Sequence, residues 1–171
     1  MQDDPWIIRV CALIQELVAL DKAVLGSCFG HQALARAIAG KHHVRPAKTP
    51  EVGYVAVVRT EAARADPLFG AMPPLFQCFS SHFDEVWPLP QGFVRLARSE
   101  GCENAAMRLE GKNVYGIQHH PEMDEGAARL LLEAEAQRLC PAARAICLAA
   151  KSSPVRDDRV AAQLLGAFLA L

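Results

Sequence analysis

Hydrophobic positions near the beginning of the chain repeat at the spacing of an α-helix. Asp4 followed by Pro5 is a typical helix start, because proline is favoured in the first turn. The apolar positions that repeat behind this start are Trp6, Val10, Leu13, Leu17 and Leu20. This pattern predicts an amphipathic helix as the first element of the chain.

A short apolar run comes next and leads into a second helical pattern. Residues 23–27, AVLGS, are typical of a buried strand. From His31 to Ala39 apolar residues again recur at helical spacing, and Gly40 is placed for a C-terminal cap. A helix, a strand, a sharp turn and a helix in this order predict an α/β fold.

The middle of the chain predicts short strands, and its end returns to helical patterns. The strand-like segments are GYVAVVRT (53–60), LFQCFSSH (75–82), FVRLARSE (93–100), AAMRLEG (105–111) and KNVYGIQHH (112–120). Helical patterns fill residues 124–171, where Ser153 and Pro154 open the last helix, and Cys140 and Cys147 are expected to pack on one helix face. Without a repeat or a linker, residues 1–171 are expected to form a single domain.

Composition and charge narrow the possible classes of protein. The chain has 171 residues, of which 51% are hydrophobic, as one globular domain requires. Eighteen Lys and Arg against nineteen Asp and Glu, mixed along the chain, provide no field for nucleic acid or an anionic membrane surface. Six widely spaced cysteines without a Cys-x-x-Cys pair predict free thiols and a cytoplasmic location. The apolar runs are too short for a membrane-spanning helix.

The chemistry of the chain begins at a cysteine between two glycines. In Gly26-Ser27-Cys28-Phe29-Gly30, glycine lies two residues to either side of a possible nucleophile, as in a nucleophile elbow. Such a corner needs small flanking residues, because neighbouring β-carbons would collide around a strained backbone. The dipole of the following helix would favour the thiolate, and the N–H of Phe29 would face a developing oxyanion. The alternative is a buried structural cysteine after a core strand.

A second motif supplies a candidate base. His120 closes a predicted strand and is followed by Pro121 and Glu122. A carboxylate two residues away can fold back and hold the imidazole in its useful tautomer. Cys28, His120 and Glu122 are therefore predicted to form a triad of nucleophile, base and orienting group.

The remaining histidines and acids favour no second site. The pairs His42-His43 and His119-His120 suggest no metal ion, since adjacent side chains of a strand point to opposite faces and no cysteine completes a zinc spacing. No metal and no cofactor are expected. Asp84 and Glu85 beside His82 are expected to lie in a solvated turn.

Taken together, these motifs resemble those of the class I glutamine amidotransferases. The resemblance rests on Gly-x-Cys-x-Gly-His-Gln at 26–32, Ser-His-x-Asp at 81–84, Leu-Pro-x-Gly at 89–92 and His-Pro-Glu at 120–122. It covers about residues 3–125 and is closest in kind to stand-alone domains similar to the amidotransferase half of GMP synthetase. It implies a flavodoxin-like, three-layer α/β fold with a mostly parallel sheet.

The resemblance also implies roles for individual residues. Cys28 would attack the side-chain amide of glutamine to give a γ-glutamyl thioester and ammonia, His120 would move protons and Glu122 would orient it. Gln32 matches a position that helps to hold the substrate. Ser81, His82 and Phe83 match the segment whose backbone reads the α-amino and carboxylate groups of glutamine. A synthetase that accepts the ammonia is the implied partner.

Two alternatives to glutamine hydrolysis stay open. Family members normally begin with a strand and a glycine-rich loop before the helix that starts here at Asp4, so the resemblance implies an N-terminally truncated domain without its first strand and second oxyanion donor. This favours an inactive or weak binding module as one alternative. Because the 171 residues hold no fused synthetase domain, the other is a hydrolase of γ-glutamyl peptides or conjugates with the same triad.

Overall fold

The computed structural model describes residues 3–138, 141–151 and 160–171. Five α-helices and six strands follow one another in these residues. Their order is α1 (Pro5–Ala19), β1 (Val24–Ser27), α2 (Phe29–Ala39), β2 (Val44–Arg59), β3 (Leu75–Val86), β4 (Phe93–Arg98), β5 (Ala106–Leu109), β6 (Val114–Ile117), α3 (Glu125–Arg138), α4 (Pro141–Lys151) and α5 (Val160–Phe168). The predicted initial helix, elbow strand, second helix and strand-rich middle are therefore present.

The six strands form one sheet in the order β1-β6-β5-β4-β2-β3. Among these described strands, β1 and β6 pair in parallel, and the other neighbours are antiparallel. The expected α/β arrangement is present, but the sheet is mixed and not mostly parallel. The physical reason lies in the connections: from β2 to β6 no α-helix intervenes, and direct connections between neighbouring strands give antiparallel pairs, whereas parallel pairs need a crossover.

Apolar side chains cover both faces of this sheet. On β6, Val114 packs with α1 and α2 on one face, and Tyr115 belongs to the core that includes Leu164 of α5 on the other. A third cluster joins Phe79 to α3 and α4, where Cys147 is 1% exposed. The sheet is thus the middle of three layers, and the expected packing role of Cys147 is confirmed.

Helix α1 buries a different side than its most regular apolar repeat suggests. Ile7 and Ile14 are the buried residues of the helix. In contrast, Trp6, Leu13 and Leu20 are 50%, 54% and 59% exposed. Because α1 packs mainly against α2, the residues toward α2 are buried and the adjacent stripe faces outward.

The helical end of the chain follows the predicted pattern where it is described. Helices α3, α4 and α5 lie within residues 124–171. Cys140, Ser153 and Pro154 lie outside the described residues. Within the parts of the chain that the structure describes, no helix has the length and apolar character to cross a membrane.

Candidate active site

Cys28 lies on a strained corner between β1 and α2. Its φ of 48° and ψ of −102° put an L-residue in a region that is normally avoided. Among the described residues, Asp21 is the only other non-glycine residue with positive φ. Two backbone hydrogen bonds hold the corner: the Cys28 N–H donates to the Ile117 carbonyl at 2.8 Å, and the Cys28 carbonyl accepts from the Gln32 N–H at 3.2 Å. This geometry is that of a nucleophile elbow.

The two glycines that flank Cys28 differ in how much space a side chain would have at their positions. A β-carbon on Gly26 would come within 2.5 Å of the Gly30 carbonyl carbon and oxygen and 2.9 Å of Leu34 Cδ1. Gly26 therefore lets α2 approach β1, as expected. A β-carbon on Gly30 would meet no atom within 4 Å, so the expectation that both flanks must be small is wrong at Gly30.

The structure brings the three predicted triad residues together. The His120 backbone N–H donates to the Phe79 carbonyl at 2.7 Å, and His120 Nδ1 lies 2.7 Å from Glu122 Oε1. The pKa of His120 is raised to about 9, first by its side-chain hydrogen bond with Cys28 and then by that with Glu122. Burial alone would raise the pKa of Glu122, but the hydrogen bond with His120, a backbone hydrogen bond and the charges of His120 and His119 together outweigh it, and the pKa is lowered. The arrangement favours an imidazolium between a sulfur atom and a carboxylate.

Two further groups contact the sulfur of Cys28. The thiol donates to the Ser81 carbonyl at 3.8 Å, and Gln118 Nε2 donates to Sγ at 3.6 Å. Gln118 was missed by sequence reasoning. The available signal is its position two residues before His120, because alternate residues of an extended chain point to the same side.

Gln32 and His82 are both buried and both bind the same backbone carbonyl. Gln32 Nε2 donates to the Asp84 carbonyl at 3.0 Å and to Gln118 Oε1 at 3.3 Å. His82 Nδ1 lies 2.9 Å from the Asp84 carbonyl. The neighbouring Phe83 is 40% exposed. Of the residues matched to substrate binding, Ser81 therefore contacts Cys28 directly, and Gln32 is linked to it through Gln118. The side chain of His82 points into the protein interior.

Glu51 on β2 is a second residue that sequence reasoning missed. Its Oε2 lies 3.1 Å from His82 Nε2 and accepts from Ser99 Oγ at 2.8 Å, while its Oε1 accepts from the Gly101 N–H at 2.9 Å. No sequence spacing signals this group, since 31 residues separate Glu51 from His82.

The expected solvated turn at Asp84 and Glu85 is wrong. Both residues belong to β3. Glu85 is buried and forms an ion pair with Arg45 on β2 at 3.0 Å. The correction follows from strand pairing, because β3 continues against β2 beyond its apolar segment and pairs Glu85 with Arg45.

Phe29 is the first residue of α2, so its N–H has no acceptor within the helix. Its ring packs against Trp6 of α1, with the ring centroids 5.0 Å apart. The N–H of the residue after the nucleophile is the group that supplies an oxyanion donor in an elbow. As for metals, the described residues contain no cluster of three or more His, Cys, Asp or Glu side chains.

Residues 7–135 match the family model of glutamine amidotransferase class-I, and the chain belongs to this family. It is 43% identical over 104 residues to a subunit of glutamine-hydrolyzing GMP synthase from Methanosarcina barkeri, covering 61% of this chain and 52% of that protein. It is 37% identical over 125 residues to gamma-glutamyl peptidase 5 of Arabidopsis thaliana, covering 72% and 49%. The chain therefore spans about half the length of these curated relatives.

Solved structures agree with this membership at the level of the fold. A glutamine amidotransferase from Thermotoga maritima superimposes with a TM-score of 0.73 at 24% identity, covering 96% of this chain and 68% of that one. A glutamine amido transferase from Methylobacillus flagellatus also gives 0.73, at 25% identity, covering 97% and 71%. The expected α/β fold class is confirmed.

Proposed function

We propose that the protein hydrolyses the side-chain amide of glutamine. The observation that carries the proposal is the strained Cys28 corner, whose sulfur is hydrogen-bonded to a His120 that is itself held by Glu122. A free cysteine beside a base and an orienting carboxylate is the arrangement that cysteine hydrolases need.

The reaction divides into two acyl transfers. The Cys28 thiolate attacks the amide carbon of glutamine, and the Phe29 N–H binds the developing oxyanion. His120 gives its proton to the leaving nitrogen, so that the C–N bond breaks, ammonia leaves and a γ-glutamyl thioester remains. His120 then takes a proton from water, the hydroxide attacks the thioester, and glutamate leaves as the proton returns to sulfur. Glu122 holds the imidazole throughout.

The substrate would lie beside the segment at the end of β3. Ser81 places its carbonyl near the attacking sulfur, which supports a role for the backbone of Ser81, His82 and Phe83 in reading the α-amino and carboxylate groups. Gln32 is proposed to hold the wall of the pocket, because its amide donates to the Asp84 carbonyl and to Gln118.

The role of Cys28 is tested by glutamate release from glutamine. Cys28→Ala is expected to lower kcat by about 10⁴-fold or more, as loss of a nucleophile does in a triad. Cys11→Ala is the matched control, because Cys11 is a free, half-buried cysteine on α1 outside the site, and it should keep wild-type release. Equal release from the wild type and Cys28→Ala would refute the proposal.

A second candidate keeps the triad and changes the substrate to a γ-glutamyl peptide or conjugate. The similarity to gamma-glutamyl peptidase 5 favours it. The kcat/KM values for glutamine and for γ-glutamyl dipeptides separate the two: a ratio above one for the dipeptide selects peptide hydrolysis. If neither substrate is turned over, the remaining alternative is a binding module.

The acceptor of ammonia is proposed to lie on a partner. The relatives named as subunits of GMP synthase are, by that name, one part of a larger enzyme, and this supports a synthetase as partner here. The free thiols of Cys11, Cys28, Cys78 and Cys102 support a reducing, cytoplasmic setting.

A further inference from the structure

A continuous row of buried polar groups leads from Glu51 to the sulfur of Cys28. We infer that Glu51 and His82 are positioning residues, which set the surroundings of the Cys28 sulfur through the Asp84 carbonyl and two glutamine amides. The inference rests on the proposed function for its catalytic meaning, but its effect on the sulfur can be measured without any substrate.

Glu51 is the fixed end of the row. It is 7% exposed, and a buried carboxylate is stable only when hydrogen bonds and an opposite charge replace water. Burial alone would raise the pKa of Glu51, but the hydrogen bonds to its two oxygens outweigh it and the pKa is lowered. The loop fits closely around this side chain, since a β-carbon on Gly101 would come within 2.7 Å of Glu51 Cγ. The carboxylate is therefore ionised and held in one place.

His82 transmits this fixed position to the backbone of β3. Its ring is buried and bridges two acceptors, with the Glu51 carboxylate at 3.1 Å from Nε2 and the Asp84 carbonyl at 2.9 Å from Nδ1. Each ring nitrogen therefore faces an oxygen that accepts hydrogen bonds. The ring cannot turn without breaking one of these bonds, and the Asp84 carbonyl is thus held in a defined direction.

From the Asp84 carbonyl onward, the donor or acceptor character of each group determines which atom of the next side chain faces it. Because the Asp84 carbonyl accepts, it selects the amide nitrogen of Gln32, at 3.0 Å. The same nitrogen donates to Gln118 Oε1 at 3.3 Å, which turns the Gln118 nitrogen toward Cys28 Sγ, at 3.6 Å. From the Gln118 side chain, the sulfur therefore faces the amide N–H and not the amide oxygen.

An N–H donor is the group that a thiolate needs. A hydrogen bond to a charged acceptor is stronger than one between neutral groups, so the Gln118 amide favours the reactive form of Cys28. If His82 no longer holds the Asp84 carbonyl, the orientations of Gln32 and Gln118 are no longer fixed. An inverted Gln118 amide would place its oxygen beside the sulfur and disfavour the thiolate.

Glu51→Gln tests this chain of contacts, with Glu85→Gln as its matched control. Both residues are buried glutamates in the β2–β3 pair, but Glu85 binds Arg45 and no member of the row. The measurement is the rate of Cys28 alkylation by iodoacetamide, followed on the peptide that contains Cys28, at a temperature where each variant is folded. Glu51→Gln is expected to slow the rate about fivefold or more, as loss of a hydrogen bond to a charged group would, and Glu85→Gln to stay within about twofold.

A second variant separates transmission along the row from a general loosening of the fold. Gln32→Met removes the middle link and keeps the side-chain length. Combined with Glu51→Gln, it should slow alkylation no further than either single change, since both interrupt the same row. Multiplied effects in the double variant, or a Glu51→Gln rate equal to that of Glu85→Gln, overturn the inference.

The alkylation rates test the inference independently of the proposed function. If the wild type releases no glutamate while Glu51→Gln slows alkylation, the row positions the sulfur and the proposed activity fails. If glutamate is released and the alkylation rates of the two glutamate variants are equal, the activity stands and the inference fails.

Discussion

At the residue scale, the candidate site joins groups that are close in sequence, such as His120 and Glu122, to a group that is distant, Glu51. Gly26 and Cys28 could be identified because an elbow constrains residues that are close in sequence. His120 and Glu122 could be paired for the same reason. Glu51 could not, because it reaches the site through contacts between strands whose residues are distant along the chain. Local motifs therefore predict which residues meet in the candidate site, whereas the groups that hold them depend on the register of the sheet.

The first prediction concerns the two glycines of the elbow. Gly26→Ala would put a β-carbon 2.5 Å from the Gly30 carbonyl group, so the backbone must move, and we expect a loss of about 1–3 kcal/mol in the free energy of unfolding. Gly30→Ala has open space and lies in α2, where alanine is the better helix former, so it should be neutral or add up to about 1 kcal/mol.

Urea denaturation of both variants provides the measurement. The sign is the critical observation, since the two substitutions add the same methyl group within four residues of each other. A Gly26→Ala variant as stable as the Gly30→Ala variant would contradict the close approach of α2 to β1.

At the scale of elements, the apolar pattern predicted where helices and strands form but not how the strands pair. Each of the five segments predicted as strands between residues 53 and 120 contains a strand, and β2 begins earlier than predicted, at Val44. Strand direction depends on connections, and the sheet is mixed because no α-helix separates consecutive strands from β2 to β6. The side of a helix that becomes buried is also a tertiary property. In α1 the apolar residues cover more than one side, and contact with α2 decides between them.

The second prediction compares two neighbouring residues of α1. Ile14 is buried beside Ala33 and Leu34 in the core under the helix, and Ile14→Ala should cost about 2–4 kcal/mol in the free energy of unfolding. Leu13 is 54% exposed, and Leu13→Ala should change it by no more than about 0.5 kcal/mol. Chemical denaturation at neutral pH measures both. Equal losses would mean that α1 turns a different side toward α2.

At the scale of the whole molecule, two uncharged histidines are enclosed between the sheet and its neighbours. His31 of α2 packs onto Gly116, where a β-carbon would lie 2.4 Å from the ring. His119 lies edge-on to Phe76. Within the described part of the chain, neither ring nitrogen of His119 has a hydrogen-bond partner, and the polar neighbours of the His31 ring are backbone groups of Gly116 and Asn104. Burial lowers the pKa of His31 to about 3 and that of His119 to about 4, with nearby histidines adding to the effect.

These two histidines predict a loss of stability in weak acid. In the unfolded chain the pKa values of both histidines are near 6.5. Between this pH and about pH 4, the unfolded state therefore binds protons that the folded state does not bind, which lowers stability. At pH 5 each histidine should cost about 2 kcal/mol relative to pH 8, and together about 4 kcal/mol. Glu51 and Glu122, whose pKa values are lowered below their usual range, contribute only in stronger acid.

His120 has the opposite effect and acts in a different range. Because its pKa is raised to about 9, its contribution is complete below pH 6.5 and is lost as the pH rises toward 9. Stability should therefore be greatest near neutral pH. Urea denaturation from pH 5 to pH 9 tests this, with His119→Phe as the variant that keeps an aromatic ring against Phe76. His119→Phe should remove about half of the loss between pH 7 and pH 5, since one of the two buried rings no longer titrates. If the His119→Phe variant loses as much free energy of unfolding between pH 7 and pH 5 as the wild type, His119 is charged or hydrated in the folded protein.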